Sequence, residues 1–155
     1  PPMADYFAAI AEAARFSLVH NGELMAEPGR ALAAPGLSAV VEVLLRKDNK
    51  LYINDGMYGV FWELRYDAHD RYPARAWRAG EQMGGETRAF QLLGPTCDSD
   101  DKLPGLVELP ADIDIGDYIE FGSIGAYSLG GRSDFNGFYS NMVVNITDPE
   151  SLPPG

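Results

Sequence analysis

The sequence is poor in the side chains that form disulfides and metal sites. In 155 residues it has one cysteine, Cys97, and two histidines, His20 and His69. A single cysteine excludes an internal disulfide framework. One cysteine and two distant histidines do not supply the clustered ligands that zinc requires. The acidic stretches 98–101 and 112–117 lack the closing glutamate of a calcium loop, so we expect no metal site.

Positive charge is also scarce. The chain has 12 Lys and Arg residues against 23 Asp and Glu residues, for a formal net charge of −11. This balance argues against nucleic acids and anionic membrane surfaces as partners, and it is compatible with a cationic ligand. The sequence has no apolar run of about 18 residues and no basic start followed by a continuous apolar core. We therefore expect no membrane span, no signal peptide and a cytoplasmic location.

A short turn, Glu27–Arg30 (sequence EPGR), is the feature around which the sequence is organised. Residues 23–26 have the pattern of a short strand, which Pro28 must end because it has no N–H and a fixed φ. Gly29 permits a tight turn and a close approach by a ligand. Glu27 and Arg30 could serve a ligand with a basic nitrogen at one end and a phosphate at the other. The alternative is a surface turn with a weak ion pair.

The residues before this turn predict a helix followed by a strand. An apolar face with helical spacing runs through residues 1–18 and comprises Phe7, Ile10, Ala11, Ala14 and Leu18. A helix, a short loop and a strand that ends at a ligand-binding turn are typical of one unit of an α/β (TIM-type) barrel, whose sites lie at the C-terminal ends of its strands. Only one such unit is present, so we expect the rest of the barrel to lie upstream of residue 1.

The remainder of the chain is predicted to be mainly β. Strands are predicted at 37–45, 51–53, 60–66, 89–93, 118–121 and 142–146, with an irregular polar segment at 67–88. We interpret this pattern as an antiparallel β-sandwich or β-barrel. The predicted organisation is a barrel remnant at 1–35, a β domain at 36–147 and a disordered, proline-rich tail at 148–155.

Several loops carry more reactive or turn-forming residues than a β domain needs. Taken singly, each has a plain explanation, because cysteines are usually buried, aspartates near glycines form turns, and aromatic residues at strand ends belong to the core. These stretches are 54–59 (NDGMYG), 66–69 (YDAH), 94–101 (GPTCDSDD), 125–128 (GAYS) and 135–138 (FNGF).

Four motifs together are specific to one family. In their order and spacing, the motifs at 27–30, 94–98, 125–127 and 135–138 resemble the C-terminal part of pyridoxal-phosphate (PLP) decarboxylases of the alanine-racemase-like fold. That group contains ornithine, lysine/ornithine, diaminopimelate and biosynthetic arginine decarboxylases. The resemblance extends from about residue 5 to residue 146.

The resemblance implies four cofactor-binding residues. Glu27 would bond the PLP pyridine nitrogen and keep it protonated, which preserves the electron sink. Gly29 through its backbone, Arg30 through its guanidinium and Tyr127 through its hydroxyl would hold the phosphate.

The resemblance also implies one catalytic residue and four substrate-binding residues. Cys97 would return a proton to the carbanion left after carbon dioxide departs, and a thiol with a pKa of about 8.5 can do so near neutral pH. Asp98 and Asp67 would bind the distal ammonium of a basic amino acid, with Tyr66 beside them. Phe135 would line the pocket.

Part of the site must come from elsewhere. The resemblance implies a head-to-tail homodimer in which Cys97 and Asp98 enter the partner's site, whereas the cofactor-binding residues serve their own. The family's Schiff-base lysine lies early in the barrel, and none of Lys47, Lys50 and Lys102 occupies an equivalent position. We therefore expect that this chain is the C-terminal portion of the enzyme and is inactive alone.

The substrate is less sharply defined than the reaction. Asp98 stands where diaminopimelate enzymes usually carry glutamate, which favours L-ornithine, converted to putrescine. Lysine differs by one methylene, worth about 1–3 kcal/mol of discrimination. The open alternatives are a dual lysine/ornithine enzyme, a diaminopimelate decarboxylase and a decarboxylase-like regulatory protein without catalysis.

Overall fold

A computed structural model describes residues 2–16, 22–66 and 72–146, and these ranges form a mainly β structure. Two helices, α1 (Met3–Arg15) and α2 (Arg30–Ala33), precede the sheet. The strands are β1 (Ala39–Lys47), β2 (Lys50–Ile53), β3 (Ala74–Arg78), β4 (Glu81–Gln82), β5 (Thr87–Leu93), β6 (Val107–Pro110) and β7 (Tyr118–Phe121). Three-residue 3-10 turns lie at Ala34–Gly36 and Phe135–Gly137, and a 3-10 helix, which we call the 62–65 helix, spans Trp62–Arg65.

The described strands form one curled, seven-stranded sheet, a half-barrel. Their order is β4-β3-β7-β1-β2-β5-β6. β1 and β2 form a hairpin in which Lys47 is opposite Lys50, and β1 pairs on its other side with β7. The predicted mainly β fold is therefore confirmed, whereas the prediction of a purely antiparallel sheet is wrong. β2 and β5 run parallel, because the chain crosses over between them through residues 54–86.

The core lies on the inner face of the curled sheet. Val41 and Val43 of β1, Leu51 and Ile53 of β2, and Ile119 of β7 are nearly or fully buried. Their spacing of two residues places each pair on one face of its strand. Phe61 packs edge-to-face on Phe121, with ring centroids 4.9 Å apart, and so joins the crossover to this core.

The strand predicted at 60–66 is wrong, because the segment forms a turn followed by the 62–65 helix. The Asp55 carboxylate accepts hydrogen bonds from the backbone N–H groups of Gly56 (2.7 Å) and Val60 (3.1 Å). These bonds fold the chain back before a strand can begin. The alternating pattern therefore reflects a helix that buries Leu64 and leaves Arg65 exposed.

Other predictions failed where pairing partners decide the structure. β3 and β4 lie within the segment predicted to be irregular, and β6 was not predicted. The stretches 23–26 and 142–146 are not strands, and Met25 and Met142 are 76% and 85% exposed. Strand hydrogen bonds require a neighbouring strand, and no described strand pairs with either stretch.

The predicted N-terminal helix is confirmed as α1, but its apolar face is uncovered. Phe7 is 64% exposed and Ile10 is 45% exposed. Within the described ranges, no helix has the length and apolarity needed to cross a membrane. The proposed tail at 148–155 lies outside the described residues, and the domain boundaries stay a prediction.

Candidate functional site

The 62–65 helix stands between two groups of polar and aromatic side chains. Its Glu63 side chain contacts Arg30, and its Arg65 side chain lies over Tyr58. We call the first group the Arg30 cluster; its members are Gly29, Arg30, Glu63, Tyr72 and Tyr127. We call the second group the Asp98 cluster; its members are Tyr58, Arg65, Cys97, Asp98, Phe135 and Asn136.

Glu63 organises the Arg30 cluster. Its carboxylate oxygens accept hydrogen bonds from both terminal nitrogens of Arg30, at 3.1 and 3.4 Å. The same carboxylate accepts a bond from the Tyr72 hydroxyl at 3.0 Å. The Glu63 side chain is only 11% exposed, so these charge-assisted bonds fix the direction of the guanidinium. Burial, followed by the bond to Glu63, raises the pKa of Tyr72, which keeps its hydroxyl a donor.

Tyr127 reaches this cluster because Gly125 allows its loop to pack against α2. The Gly125 N–H donates to the Ala34 carbonyl at 2.9 Å. A Cβ at Gly125 would lie 2.3 Å from the Ala33 carbonyl oxygen, closer than real Cβ contacts come. The Trp62 indole N–H donates to the Tyr127 carbonyl at 3.3 Å and holds the loop from the other side.

Gly29, Arg30 and Tyr127, predicted to hold a phosphate, are brought together. A Cβ on Gly29 would lie 3.3 Å from the Tyr127 hydroxyl oxygen, so the missing side chain leaves the backbone open beside that hydroxyl. The Arg30 guanidinium carbon lies 5.5 Å from the centroid of the Tyr127 ring. A guanidinium, a phenolic hydroxyl and an open glycine backbone fit the phosphate end of PLP.

Glu27 lies two residues before this cluster. Its side chain is exposed, in a segment that is neither helix nor strand. The roles of Gly29, Arg30 and Tyr127 at a phosphate, and that of Glu27 at the cofactor's ring nitrogen, stay predictions.

In the Asp98 cluster, a carboxylate is bonded to a phenol. The Tyr58 hydroxyl donates a short hydrogen bond to the Asp98 carboxylate. The Tyr58 ring stacks on Phe135, with centroids 4.3 Å apart, and the Arg65 guanidinium carbon lies 4.2 Å from the Tyr58 centroid. The Tyr58 bond is the main reason that the pKa of Asp98 is lowered, and it raises the pKa of Tyr58.

Cys97 is exposed and immediately precedes Asp98 in the chain. Its Sγ lies 3.4 Å from Asn136 Oδ1, and its backbone N–H donates to the same oxygen at 3.4 Å. Asn136 has a φ of 56°, a left-handed conformation that asparagine tolerates better than most residues. The thiol is thus held at the surface beside the Asn136 side chain.

Asp101 anchors the loop that carries Cys97 and Asp98. It is 3% exposed, and its carboxylate accepts hydrogen bonds from the N–H groups of Met57 (2.7 Å) and Thr96 (3.0 Å). A Cβ at Gly56 or Gly94 would lie 2.1 or 2.2 Å from this carboxylate. The loops at 54–59 and 94–101 are therefore locked together, which explains their glycine and aspartate content.

Two predicted substrate residues are not placed in this cluster. Tyr66 is 83% exposed, and its ring packs edge-to-face on Trp62 at 6.0 Å. Asp67 lies outside the described residues. Three residues of the two clusters were not predicted from the sequence, and Tyr58 had no predicted role; the three are Glu63, Tyr72 and Arg65. Glu63 and Arg65 were missed because the segment was interpreted as a strand. Tyr58 could have been found, because it lies in the stretch 54–59 (NDGMYG) that the sequence marks as unusual.

Metal ligands are not clustered in the described part of the chain. Within residues 2–16, 22–66 and 72–146, no group of three or more His, Cys, Asp or Glu side chains could hold an ion.

Known proteins are similar to this chain in sequence and in fold. Residues 37–125 match the sequence model of the pyridoxal-dependent decarboxylase C-terminal sheet domain. Ornithine decarboxylase of Schizosaccharomyces pombe is 32% identical over 136 residues, which cover 79% of this chain and 31% of that protein. Antizyme inhibitor 2 of Xenopus laevis is 31% identical over 137 residues, with 78% and 29% coverage.

A solved structure extends the match beyond the sheet. Lysine/ornithine decarboxylase from Vibrio vulnificus, complexed with cadaverine, superposes with a TM-score of 0.74 at 32% identity; the match covers 96% of this chain and 40% of that one. The chain thus spans about a third of the length of the two curated relatives, the ornithine decarboxylase and the antizyme inhibitor. The predicted resemblance is confirmed: the chain belongs to the pyridoxal-dependent decarboxylase family, whose members use PLP, and contains that family's C-terminal sheet domain.

Proposed function

We propose that this chain is the C-terminal portion of a PLP-dependent carboxy-lyase that converts L-ornithine to putrescine, a step of polyamine formation. The observation that carries the proposal is that the Arg30 cluster and the Asp98 cluster lie on either side of the 62–65 helix. One cluster offers a guanidinium and a phenol for a phosphate, and the other offers an exposed thiol on the residue that precedes a carboxylate.

The Arg30 cluster would bind the cofactor's phosphate, and Glu27 its ring nitrogen. When bound, PLP supplies the electron sink that makes loss of carbon dioxide feasible. Glu63 and Tyr72 would hold Arg30 in place, because Glu63 accepts hydrogen bonds from its guanidinium and Tyr72 donates a hydrogen bond to Glu63. Gly29 would let the phosphate approach the backbone.

The Asp98 cluster would donate the proton and bind the substrate. The Cys97 thiol would donate its proton to the carbon from which carbon dioxide has left. Asp98 would accept hydrogen bonds from the distal ammonium, and Phe135 would line the pocket. Tyr66 and Asp67 would contribute from a segment that is only partly described.

The remaining components are a partner and a barrel. We propose a homodimer in which Cys97 and Asp98 complete the partner's site, and a preceding barrel segment that carries the Schiff-base lysine. We also propose a cytoplasmic enzyme, because the reducing cytoplasm keeps an exposed thiol such as Cys97 reduced.

The test is carbon dioxide release by the full-length protein from L-ornithine, L-lysine, L-arginine and meso-diaminopimelate. The proposal expects the highest kcat/KM for ornithine, with lysine second because one methylene discriminates weakly. Preference for diaminopimelate would overturn the substrate assignment. Cys97→Ala should suppress putrescine formation, and undiminished putrescine would eliminate Cys97 as the proton donor.

A second candidate is a regulatory protein without catalysis. The 31% identity to an antizyme inhibitor favours it. Intact Glu27, Arg30, Cys97, Asp98 and Tyr127 favour the enzyme, because a non-catalytic relative has no chemical need for this set. No carbon dioxide from any of the four substrates would support the regulatory candidate.

A further inference from the structure

The Asp98 cluster contains a positively charged side chain, Arg65, that has no role in the substrate binding proposed above. Arg65 ends the 62–65 helix, and its guanidinium carbon lies 4.2 Å from the centroid of the Tyr58 ring. Tyr58 in turn donates its hydroxyl proton to Asp98. A positive side chain therefore stands one ring away from the carboxylate proposed to receive the substrate's distal ammonium.

The charges of this arrangement partly cancel. Asp98 contributes one negative charge, Arg65 one positive charge, and Tyr58 is a neutral donor. The attraction of Arg65 for the carboxylate adds to the Tyr58 bond in lowering the pKa of Asp98. An incoming ammonium would meet both the carboxylate and the guanidinium, so part of the attraction would be offset by repulsion.

Resting on the proposed function, we propose that Arg65 is a specificity-determining residue that offsets the charge of Asp98 and weakens the selection of substrates with a distal ammonium. The effect acts on the distal charge and not on the reacting carbon. It therefore changes KM for a substrate with a distal ammonium and leaves both kcat and the binding of an analogue without that ammonium nearly unaltered.

The test compares two five-carbon amino acids on the full-length enzyme. L-Ornithine carries the distal ammonium, and L-norvaline, used as a competitive inhibitor, has the same carbon chain without it. Arg65→Leu should lower KM for ornithine roughly fivefold, the size expected for one exposed charge pair. It should leave the norvaline inhibition constant and kcat within about twofold, and the difference in KM should shrink at high salt.

Two further variants separate charge from structure. Arg65→Lys keeps the charge and should keep the wild-type KM. Arg88→Leu removes the same charge from an exposed position of β5 and should leave KM unchanged. Putrescine binding, measured by calorimetry, should tighten in Arg65→Leu by the same factor as KM falls.

The outcomes distinguish this inference from the function on which it rests. An enzyme that decarboxylates ornithine, but whose Arg65→Leu variant has an unchanged KM, overturns the role of Arg65 alone. Equal changes for ornithine and norvaline overturn it too, because they indicate a structural effect. A wild-type protein that releases no carbon dioxide from ornithine overturns both proposals.

Discussion

Asp101 should be the side chain on which the Cys97–Asp98 loop most depends. Its buried carboxylate accepts two backbone N–H groups, one from each of the loops that it joins. Hydrogen bonds to a charged acceptor contribute about 1.5–3 kcal/mol each, and Asp101→Ala would leave both donors buried and unpaired. The expected loss in the free energy of unfolding is therefore about 3–6 kcal/mol.

Asp101→Asn provides the measurable case. Its amide oxygen can accept one of the two bonds, while its NH₂ group faces the other donor, so the loss should be about 1.5–3 kcal/mol. The assay is urea unfolding followed by the fluorescence of Trp62 and Trp77. Asp100→Asn is the matched control, because the exposed neighbour loses the same charge without touching these donors.

A contradicting result would be free energies of unfolding for Asp101→Asn and Asp100→Asn that differ by less than about 0.5 kcal/mol, the spread of ordinary surface substitutions. That result would mean that the two loops stay together without the Asp101 carboxylate, and that the backbone bond from the Gly94 N–H to the Asp101 carbonyl is enough to shape the 94–101 loop.

Three other predictions concern the two clusters and the turn before the 62–65 helix. Gly125→Ala should cost about 2 kcal/mol or more in urea unfolding, because its Cβ would meet a backbone carbonyl oxygen at 2.3 Å; Gly84→Ala, with open space around it, is the control and should cost little. Tyr58→Phe should raise the pKa of Asp98 towards 3.8, as followed by NMR of its carboxyl carbon, and an unmoved titration would show that the short bond does not form in solution. Burial raises the pKa of Asp55 above 3.8, so the folded form binds a proton more readily than the unfolded chain, and stability is lost as pH rises through the folded pKa. Relative to Asp55→Asn, the wild type should therefore gain free energy of unfolding as pH falls from about 7 to about 4, and a gap that does not change with pH would contradict this.

Local sequence signals predicted the elements that need no distant partner. The β1–β2 hairpin follows from a valine-rich strand, a polar turn and the apolar return at 51–53. Helix α1 follows from its apolar spacing. The crossover from β2 to β5 could not be predicted in this way, because the parallel pairing joins residues about 40 positions apart.

Three members of the Arg30 cluster were predicted from sequence motifs, whereas the residues that support them were not. Gly29, Arg30 and Tyr127 were named from motifs, and the structure brings them together. Glu63 was missed, because the alternation of apolar and polar residues at 60–66 fits a strand as well as a short helix. Its contact with Arg30 spans 33 positions and depends on the turn that Asp55 stabilises.

The residue predicted to lie near Asp98 also differs from the residue that the structure places there. The sequence associated Tyr66 with Asp98 by analogy with a family motif, whereas the structure places Tyr58 against that carboxylate and leaves Tyr66 exposed on Trp62. Arg65 escaped notice because its effect depends on a ring that lies seven positions earlier in the chain.

A mixing experiment on the full-length protein tests the proposal that Cys97 completes the active site of the partner subunit. Glu27→Ala should disable a subunit's own site, and Cys97→Ala should disable its partner's. In an equal mixture, about half of the dimers contain one subunit of each kind, and each such dimer has one site free of both changes. We expect putrescine formation at about a quarter of the wild-type rate. No recovery of activity, from variants shown to exchange subunits, would contradict it.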